Sequence, residues 1–144
     1  MSRPTHARLS ASGAVLYVRQ AGSGPVVLLL HGFPDSGELW HDVTPMLVAA
    51  GYRVIAHDLR GFGRSDAPAS VGDYALGHVV ADLRVLIGRL ANDAPVRVIG
   101  HDWGAVAGWC LALEHPQLVR SQVALSVGHP RQYAVAGLEQ KLKG

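Results

Sequence analysis

The amino-acid sequence predicts an α/β fold built on a mostly parallel, doubly wound sheet. Short, mainly apolar runs at residues 26–30, 52–57, 96–99 and 119–127 alternate with segments of helical periodicity. Apolar runs of this length are typical of strands that are covered on both faces, as strands of parallel sheets are. The regular alternation of strand and helix therefore favours one sheet with helices on both sides.

The composition bounds the class of protein. The 144 residues are 49% hydrophobic and 17% charged, with a formal net charge of +2, which suits a single globular domain. No lysine- or arginine-rich run indicates nucleic-acid binding, and no apolar run has the length of a membrane span or a signal core. We therefore expect a cytoplasmic protein that binds neither nucleic acid nor membrane. The sequence carries no indication of an oligomeric state.

The first half of the chain contains a hairpin, a strand and a helix. Residues 5–20 alternate polar and apolar around Ser12 and Gly13, which predicts two edge strands joined by a tight turn. After the strand at residues 26–30, Ser36 is expected to cap a helix that bends or restarts at Pro45. The inward stripe of this helix is predicted to be Leu39, Trp40, Val43 and Leu47.

Two further helices follow. From Asp73 to residue 90, apolar side chains recur at three- and four-residue steps, which predicts an amphipathic helix. The segment from Trp103 to Glu114 is rich in alanine and glycine and is predicted to be a helix packed closely on the sheet. On it, Trp109 and Cys110 are expected to be buried apolar residues of the core, like Trp40. Past residue 128 only a weak amphipathic start remains, with Leu138 and Leu142.

A charged, glycine-punctuated loop is predicted at residues 58–66. Its spacing matches neither the P-loop nor the dinucleotide fingerprint, so we interpret it as a structural loop in which Arg60 and Asp66 pair. His31 and His57 end strands and are expected to be hydrogen-bonded structural residues. No histidine and carboxylate spacing resembles a zinc site. The sequence thus predicts neither a metal nor a cofactor.

The segment at residues 96–105 carries the strongest functional signal. A strand ends at Gly100 and a helix begins at Trp103, with Asp102 between two glycines, Gly100 and Gly104. This is the strand–turn–helix pattern that presents a serine nucleophile in G-x-S-x-G, here with aspartate at the apex. Small neighbours suit an apex residue with a strained backbone. We interpret Asp102 as a nucleophile; the competing interpretation, a helix N-cap, does not require the flanking glycines.

Three segments resemble α/β-hydrolases of the epoxide hydrolase and haloalkane dehalogenase group. They are His31-Gly32-Phe33-Pro34, the loop at residues 58–66, and Gly100-His101-Asp102-Trp103-Gly104-Ala105. The resemblance implies an α/β-hydrolase core in which the backbone N–H groups of Phe33 and Trp103 form an oxyanion hole. His31, Gly32, Pro34, Gly100, His101 and Gly104 would support these motifs, and by this resemblance His101 is not the catalytic base.

The same resemblance implies a boundary. In that group the sixth strand is followed by a helical cap, two further strands, an acid and a histidine base. Residues 1–144 are therefore expected to be the N-terminal portion of a single α/β-hydrolase domain, truncated before the cap and the last strands. Residues 128–144 would be the start of the cap region.

An aspartate apex restricts the chemistry. A carboxylate is already ionised at neutral pH, and attack on a saturated carbon gives a stable ester, whereas attack on an acyl carbon gives a reactive anhydride. This favours epoxide opening or dehalogenation over ordinary ester hydrolysis. By the resemblance, the pair Phe33-Pro34 tilts the choice towards opening of a small apolar epoxide. Dehalogenation of a halogenated substrate is the alternative, but the side chain of Phe33 offers no donor to a halide. A third interpretation is a catalytically incomplete fragment that lacks the histidine base and the acid.

Overall fold

Six strands form one sheet in the computed structural model, which describes residues 3–135. The strands are β1 (Thr5–Ala11), β2 (Ala14–Ala21), β3 (Val26–Leu30), β4 (Arg53–His57), β5 (Val96–His101) and β6 (Val119–Leu125), in the spatial order β1-β2-β4-β3-β5-β6. β1 and β2 form an antiparallel hairpin, and β2 also meets β4 antiparallel. β4, β3, β5 and β6 are parallel. The predicted mostly parallel sheet and its N-terminal hairpin are confirmed, but only β1 is an edge strand, because β2 pairs with both β1 and β4.

The helices are α1 (Val43–Ala49), α2 (Leu76–Ala91), α3 (Trp103–Glu114) and α4 (Pro130–Val135). Short 3-10 turns cover Gly37–Trp40, Val71–Tyr74 and Pro116–Leu118. α2 ends where Asn92 adopts the left-handed conformation, with φ 51°, which a short polar side chain tolerates. None of the helices described between residues 3 and 135 has the length and hydropathy to cross a membrane.

Apolar clusters cover both faces of the sheet. On one face Leu28 and Leu30 of β3 lie in a cluster that includes Leu83 of α2 and Leu111 of α3, all at most 1% exposed. On the other face Val27, Leu29, Val54 and Ala56 pack with Trp40, and Val43 and Leu47 of α1 cover them. Because successive residues of β3 point to opposite faces and both faces are covered, the strand is apolar throughout.

The region of α1 differs from the predicted single helix. A 3-10 turn, capped by Ser36 accepting from Glu38 N at 3.3 Å, is followed by α1, so the break falls at residues 41–42 and not at Pro45. Pro45 is the third residue of α1, where a missing N–H costs no intrahelical hydrogen bond. Leu39 is 41% exposed and does not belong to the inward stripe.

The C-terminal elements also depart from expectation in detail. β6 ends at Leu125, two residues earlier than predicted. Trp109 is only half-buried, and its indole contacts the His129 ring at a centroid distance of 4.7 Å instead of joining the core. Cys110 is half-buried against the core cluster. Leu138 and Leu142 lie outside the described residues.

Candidate active site

The turn from β5 to α3 places Asp102 in an unusual backbone conformation. Its φ of 53° and ψ of −122° fall in a region that L-residues rarely occupy. The chain passes itself closely on both sides of this turn. A Cβ at Gly100 would lie 2.6 Å from the carbonyl oxygen of Gly104, and a Cβ at Gly104 would collide with the carbonyl oxygen of Leu30. Glycine at both positions is therefore a packing requirement.

The Asp102 carboxylate is held by backbone donors. The N–H of Phe33 donates to Asp102 Oδ1 at 3.0 Å. The hydrogen bond from this N–H is the largest cause of the lowered pKa of Asp102, and the hydrogen bond from Trp103 N–H is the next largest. Desolvation raises the pKa by a smaller amount, so the pKa lies below its ordinary value. Among residues 3–135 no lysine, arginine or histidine forms an ion pair with it. The result is an ionised carboxylate whose charge no neighbouring side chain neutralises.

The loop after β3 brings Phe33 to this carboxylate. Because Leu30 of β3 is paired in register with Gly100 of β5, the loops that follow these two parallel strands meet at one edge of the sheet. Gly32 lies so close to Asp102 that an added Cβ would collide with its side chain. The N–H of Asp35 donates to the carbonyl of Gly32 at 2.9 Å and closes the turn, and the Phe33–Pro34 peptide bond is cis.

The two strand-ending histidines differ from one another. His31 is fully buried, with Nδ1 2.9 Å from the carbonyl oxygen of Gly32 and Nε2 accepting from Leu59 N at 2.8 Å. Its prediction as a hydrogen-bonded structural residue is confirmed. For His57 that prediction is wrong, since neither ring nitrogen has a hydrogen-bond partner within the described part of the chain. Burial, aided by the nearby His31, lowers the pKa of His57 to about 3.

The loop at residues 58–66 starts with a fully buried carboxylate. Asp58 accepts hydrogen bonds from Arg19 Nη1 at 2.6 Å, Gly37 N at 2.7 Å and Arg64 N at 2.8 Å. Burial alone would raise the pKa of Asp58, but these donors outweigh it and hold the pKa below its ordinary value. Asp58 thus ties this loop to β2 and to the 3-10 turn that follows Phe33.

The predicted pairing of Arg60 with Asp66 is wrong. Arg60 makes a two-pronged ion pair with Asp82 of α2, with both hydrogen bonds at 2.7 Å, and both side chains are buried. Asp66 lies at the other side of the loop, where it accepts from Val15 N at 2.9 Å and from Arg8 at 3.1 Å. The partner of Arg60 is on a separate helix, so loop composition alone could not identify it.

An apolar cleft of about 530 Å³ opens beside Trp103, between the loop after β4 and the start of α2. Phe33 and Trp103, whose backbone N–H groups donate to the Asp102 carboxylate, are 66% and 56% exposed. A concave, mainly apolar surface suits a small apolar molecule, and Trp103 connects the cleft to Asp102, the preceding residue in the chain. The lining consists of Leu59, Arg60, Phe62, Tyr74, Leu76, Val79, Trp103 and Ala107.

The remaining motif residues support the turn or lie beside it. His101 ends β5 half-buried, and its Nδ1 has no hydrogen-bond partner among residues 3–135. Over the same residues no group of three or more histidine, cysteine, aspartate or glutamate side chains is arranged to hold a metal ion. The candidate site is therefore one carboxylate, two backbone donors and an apolar surround.

Comparison with known proteins identifies the family. A family model described as the alpha/beta hydrolase fold matches residues 25–140. The chain belongs to this α/β-hydrolase family. The resemblance to its epoxide hydrolase group is confirmed by relatives and solved structures. The chain is 43% identical over 133 residues to "Epoxide hydrolase 2" of Siraitia grosvenorii, with 92% of the chain and 42% of that relative covered.

Two solved α/β-hydrolase structures agree with the fold. An epoxide hydrolase from Vigna radiata is 40% identical, with a TM-score of 0.83, over 86% of this chain and 38% of that one. Potato (Solanum tuberosum) epoxide hydrolase I is 32% identical, with a TM-score of 0.86, over 98% of this chain and 45% of that one. The chain thus spans less than half the length of the epoxide hydrolases that it matches.

Proposed function

We propose that this α/β-hydrolase chain carries the nucleophile of an epoxide hydrolase, and that the nucleophile is Asp102. The observation that carries the proposal is the 3.0 Å hydrogen bond from Phe33 N to Asp102 Oδ1, made at a strained turn where no cation among residues 3–135 pairs with the carboxylate. The similarity to epoxide hydrolases from two plants supports the same chemistry. A structural helix cap would need neither the strain nor the donor from a second loop.

The first step is attack on the epoxide ring. Because its pKa is lowered, Asp102 is ionised at neutral pH and needs no base. We assign the attack to Oδ2, since Oδ1 is held by Phe33. A new bond forms between Oδ2 and a ring carbon while the ring C–O bond breaks. The electron pair stays on the ring oxygen, which then takes a proton from a water molecule to become a hydroxyl group of the ester.

The second step is hydrolysis of that ester by water. Oδ1 becomes the carbonyl oxygen, and negative charge develops on it as water adds to the carbon. The N–H groups of Phe33 and Trp103 are the proposed donors to this oxyanion, and removing one such donor typically slows the step by about 10²–10³-fold. His31 and His57 are buried in the core and are not proposed as the base that activates this water. Without a base from elsewhere, the ester is expected to persist.

The substrate is proposed to be a small, largely apolar epoxide, because the cleft beside Trp103 is lined mainly by apolar side chains. We further propose a cytoplasmic location. Residues 1–144 are proposed to be the N-terminal part of one α/β-hydrolase domain in which residues 128–144 begin a cap, in keeping with the 42% of the Siraitia grosvenorii relative that the chain covers.

Dehalogenation of a haloalkane is the second candidate. One observation favours it: Trp103 directly follows Asp102 and its side chain is 56% exposed, so an indole N–H is available to a leaving halide. The side chain of Phe33 has no such donor, and a halide held by a single N–H is less well stabilised. Epoxide opening is therefore the preferred proposal.

The two candidates are separated by covalent labelling. The chain is incubated with styrene oxide or, separately, with a 1-bromoalkane, and the modified peptide is identified by mass spectrometry. The proposal expects a stable epoxide adduct on Asp102. An adduct from the bromoalkane alone would favour the dehalogenase, and absence of label from both reagents would refute the assignment of Asp102. Continuous diol release would show that a base already acts on the ester.

A further inference from the structure

We propose that His31 is a positioning residue that holds the Gly32–Phe33 peptide group so that the N–H of Phe33 faces Asp102. The proposal rests on the proposed function, in which this N–H stabilises charge on Asp102 Oδ1. His31 itself reaches neither the carboxylate nor a substrate, because it is fully buried beneath the loop. It acts through the peptide group next to it.

The argument starts from the planarity of the peptide bond. The carbonyl oxygen of Gly32 and the N–H of Phe33 belong to one rigid group and point in opposite directions. The oxygen is 2.9 Å from His31 Nδ1, and the N–H is 3.0 Å from Asp102 Oδ1. A contact that fixes the carbonyl oxygen of Gly32 therefore also fixes the direction of the Phe33 N–H. Glycine at position 32 is conformationally permissive, so an external contact is needed to fix this peptide plane.

The two partners of the imidazole demand one tautomer. The N–H of Leu59 can only donate, so Nε2 of His31 must accept and carries no proton. In the neutral ring the proton then sits on Nδ1, which faces a carbonyl oxygen that can only accept. Desolvation lowers the pKa of His31 and keeps the ring neutral. The same tautomer therefore satisfies the loop after β3 and the loop after β4.

Packing fixes the ring between these loops. Phe62 meets the imidazole edge-on, with ring centroids 5.4 Å apart. The carbonyl of Gly32 has a second donor, the N–H of Asp35 at 2.9 Å. That bond lies within the loop and moves with it, whereas the bond from His31 ties the loop to the core. Loss of His31 is therefore expected to misdirect the Phe33 N–H in part and not to abolish its contact with Asp102.

The first test uses the unchanged chain. Long-range ¹⁵N–¹H correlation spectra of the histidine rings report which nitrogen of His31 carries the proton at pH 7. The expected result is protonated Nδ1 and unprotonated Nε2. A ring protonated at Nε2 would overturn the proposal, and this measurement needs neither a variant nor an epoxide.

The second test compares two substitutions of matched polarity. His31→Asn keeps a donor near the Nδ1 position but cannot reach Leu59, whereas His31→Gln reaches the Nε2 position and leaves Gly32 without its donor. Each variant is alkylated on Asp102, and hydroxylamine is added to cleave the ester without a protein base. We expect the ester on His31→Gln to be cleaved about tenfold more slowly than that on the unchanged chain, and the ester on His31→Asn to be cleaved within about threefold of it. Only in His31→Gln is the Phe33 N–H, the proposed oxyanion donor, no longer held in the correct orientation.

The outcomes are separable from those of the proposed function. Equal slowing in both variants, or no slowing in His31→Gln, would contradict the positioning role, and thermal unfolding checks that each variant folds. If the unchanged chain takes no label, the assignment of Asp102 fails. The pH titration of the Phe33 amide signal then still decides the inference: it should follow ionisation of Asp102 in the unchanged chain and in His31→Asn but much less in His31→Gln. Where a variant fails to fold, the tautomer measurement decides.

Discussion

Asp58 and Asp102 occupy equivalent positions at the ends of two parallel strands, but their surroundings differ. Each follows a histidine that ends a parallel strand, and both strands, β4 and β5, flank β3. Asp58 is fully buried and accepts from the Arg19 guanidinium and from backbone N–H groups. Asp102 is partly exposed and takes its stabilisation mainly from the backbone N–H groups of Phe33 and Trp103.

If Asp102 has the role proposed above, the difference illustrates how one fold uses a carboxylate for two tasks. A carboxylate that is paired with an arginine and accepts hydrogen bonds from backbone N–H groups stabilises the structure, and those contacts neutralise its charge. A carboxylate that is ionised but not neutralised keeps an oxygen able to attack another molecule. The distinction arises at the next residues, since Leu59 and Arg60 after Asp58 are buried, whereas Trp103 starts a helix at a strained turn.

The largest effect is expected on covalent labelling. Asp102→Asn should remove the epoxide adduct entirely, because a neutral amide oxygen is a far weaker nucleophile than a carboxylate. Peptide mapping by mass spectrometry measures the labelled fraction. Asp66→Asn, which changes a carboxylate in an exposed loop position, is the matched control and should label normally. Labelling that survives Asp102→Asn would assign the nucleophile elsewhere.

The free energy of unfolding should respond more strongly to substitution of Asp58 than to substitution of Asp102. Asp58→Asn is expected to lower the free energy of unfolding by about 3–5 kcal/mol, because it leaves the Arg19 guanidinium without its buried partner. Asp102→Asn should change it by less than about 1 kcal/mol, as expected of a partly exposed position without an ion pair. Denaturant titration of both variants measures the two values. Equal losses would remove the contrast between the two carboxylates.

Acid should weaken the buried surroundings of Asp58 before Asp58 itself is protonated. His57 has a folded-state pKa of about 3 against an ordinary value of 6.5, so the unfolded chain binds its proton first as the pH falls. Stability is complete above pH 6.5 and declines below it, by about 2 kcal/mol at pH 5 from His57 alone. Denaturant titrations at pH 5 and pH 8 measure this difference.

A substitution isolates the contribution of His57. His57→Leu should make the loss of stability between pH 8 and pH 5 shallower by about the same 2 kcal/mol, because the group that binds the proton is gone. His41→Gln, at an exposed position, should leave the loss as in the unchanged chain. The idea fails if the two variants show the same dependence on pH.

The smallest effect concerns the ionisation of Asp102. Because the pKa of this carboxyl lies below 3.8, the fraction ionised is already complete at pH 5. The rate of epoxide labelling should therefore change by less than about twofold between pH 5 and pH 8. Rates are measured from the labelled fraction against time at each pH. An inflection between pH 6 and pH 7 would instead indicate that a histidine controls the attack.

Much of the fold follows from local patterns. The continuous apolar residues of β3 and the three- and four-residue apolar spacing of α2 are sufficient to predict these elements. A strand buried on both faces is apolar at every position, whereas a helix buried along one side is apolar at every third or fourth position. The glycines around residue 102 likewise predict the strained turn, since close backbone approach excludes a Cβ there.

What escapes prediction depends on tertiary contacts. The pairing of Arg60 with Asp82, and of Asp58 with Arg19, joins residues that are 22 and 39 positions apart, and no local rule selects one carboxylate over another. The lack of hydrogen-bond partners for the His57 ring among residues 3–135 is equally unpredictable, because the sequence at a strand end does not show whether donors or acceptors face the ring. The hydrogen bond between Phe33 and Asp102, by contrast, could be anticipated only from the family resemblance.

The donors around Asp102 belong to the main chain, and this has a consequence for variation. Any residue other than proline at positions 33 and 103 keeps the backbone N–H group, while the residues now there are mostly exposed to solvent. Under the proposed function, selectivity and reactivity are thus encoded in separable parts of the same two residues. A library that varies both positions can reshape which molecules the site admits while the chemical apparatus stays intact, which makes this edge of the sheet a natural starting point for directed evolution.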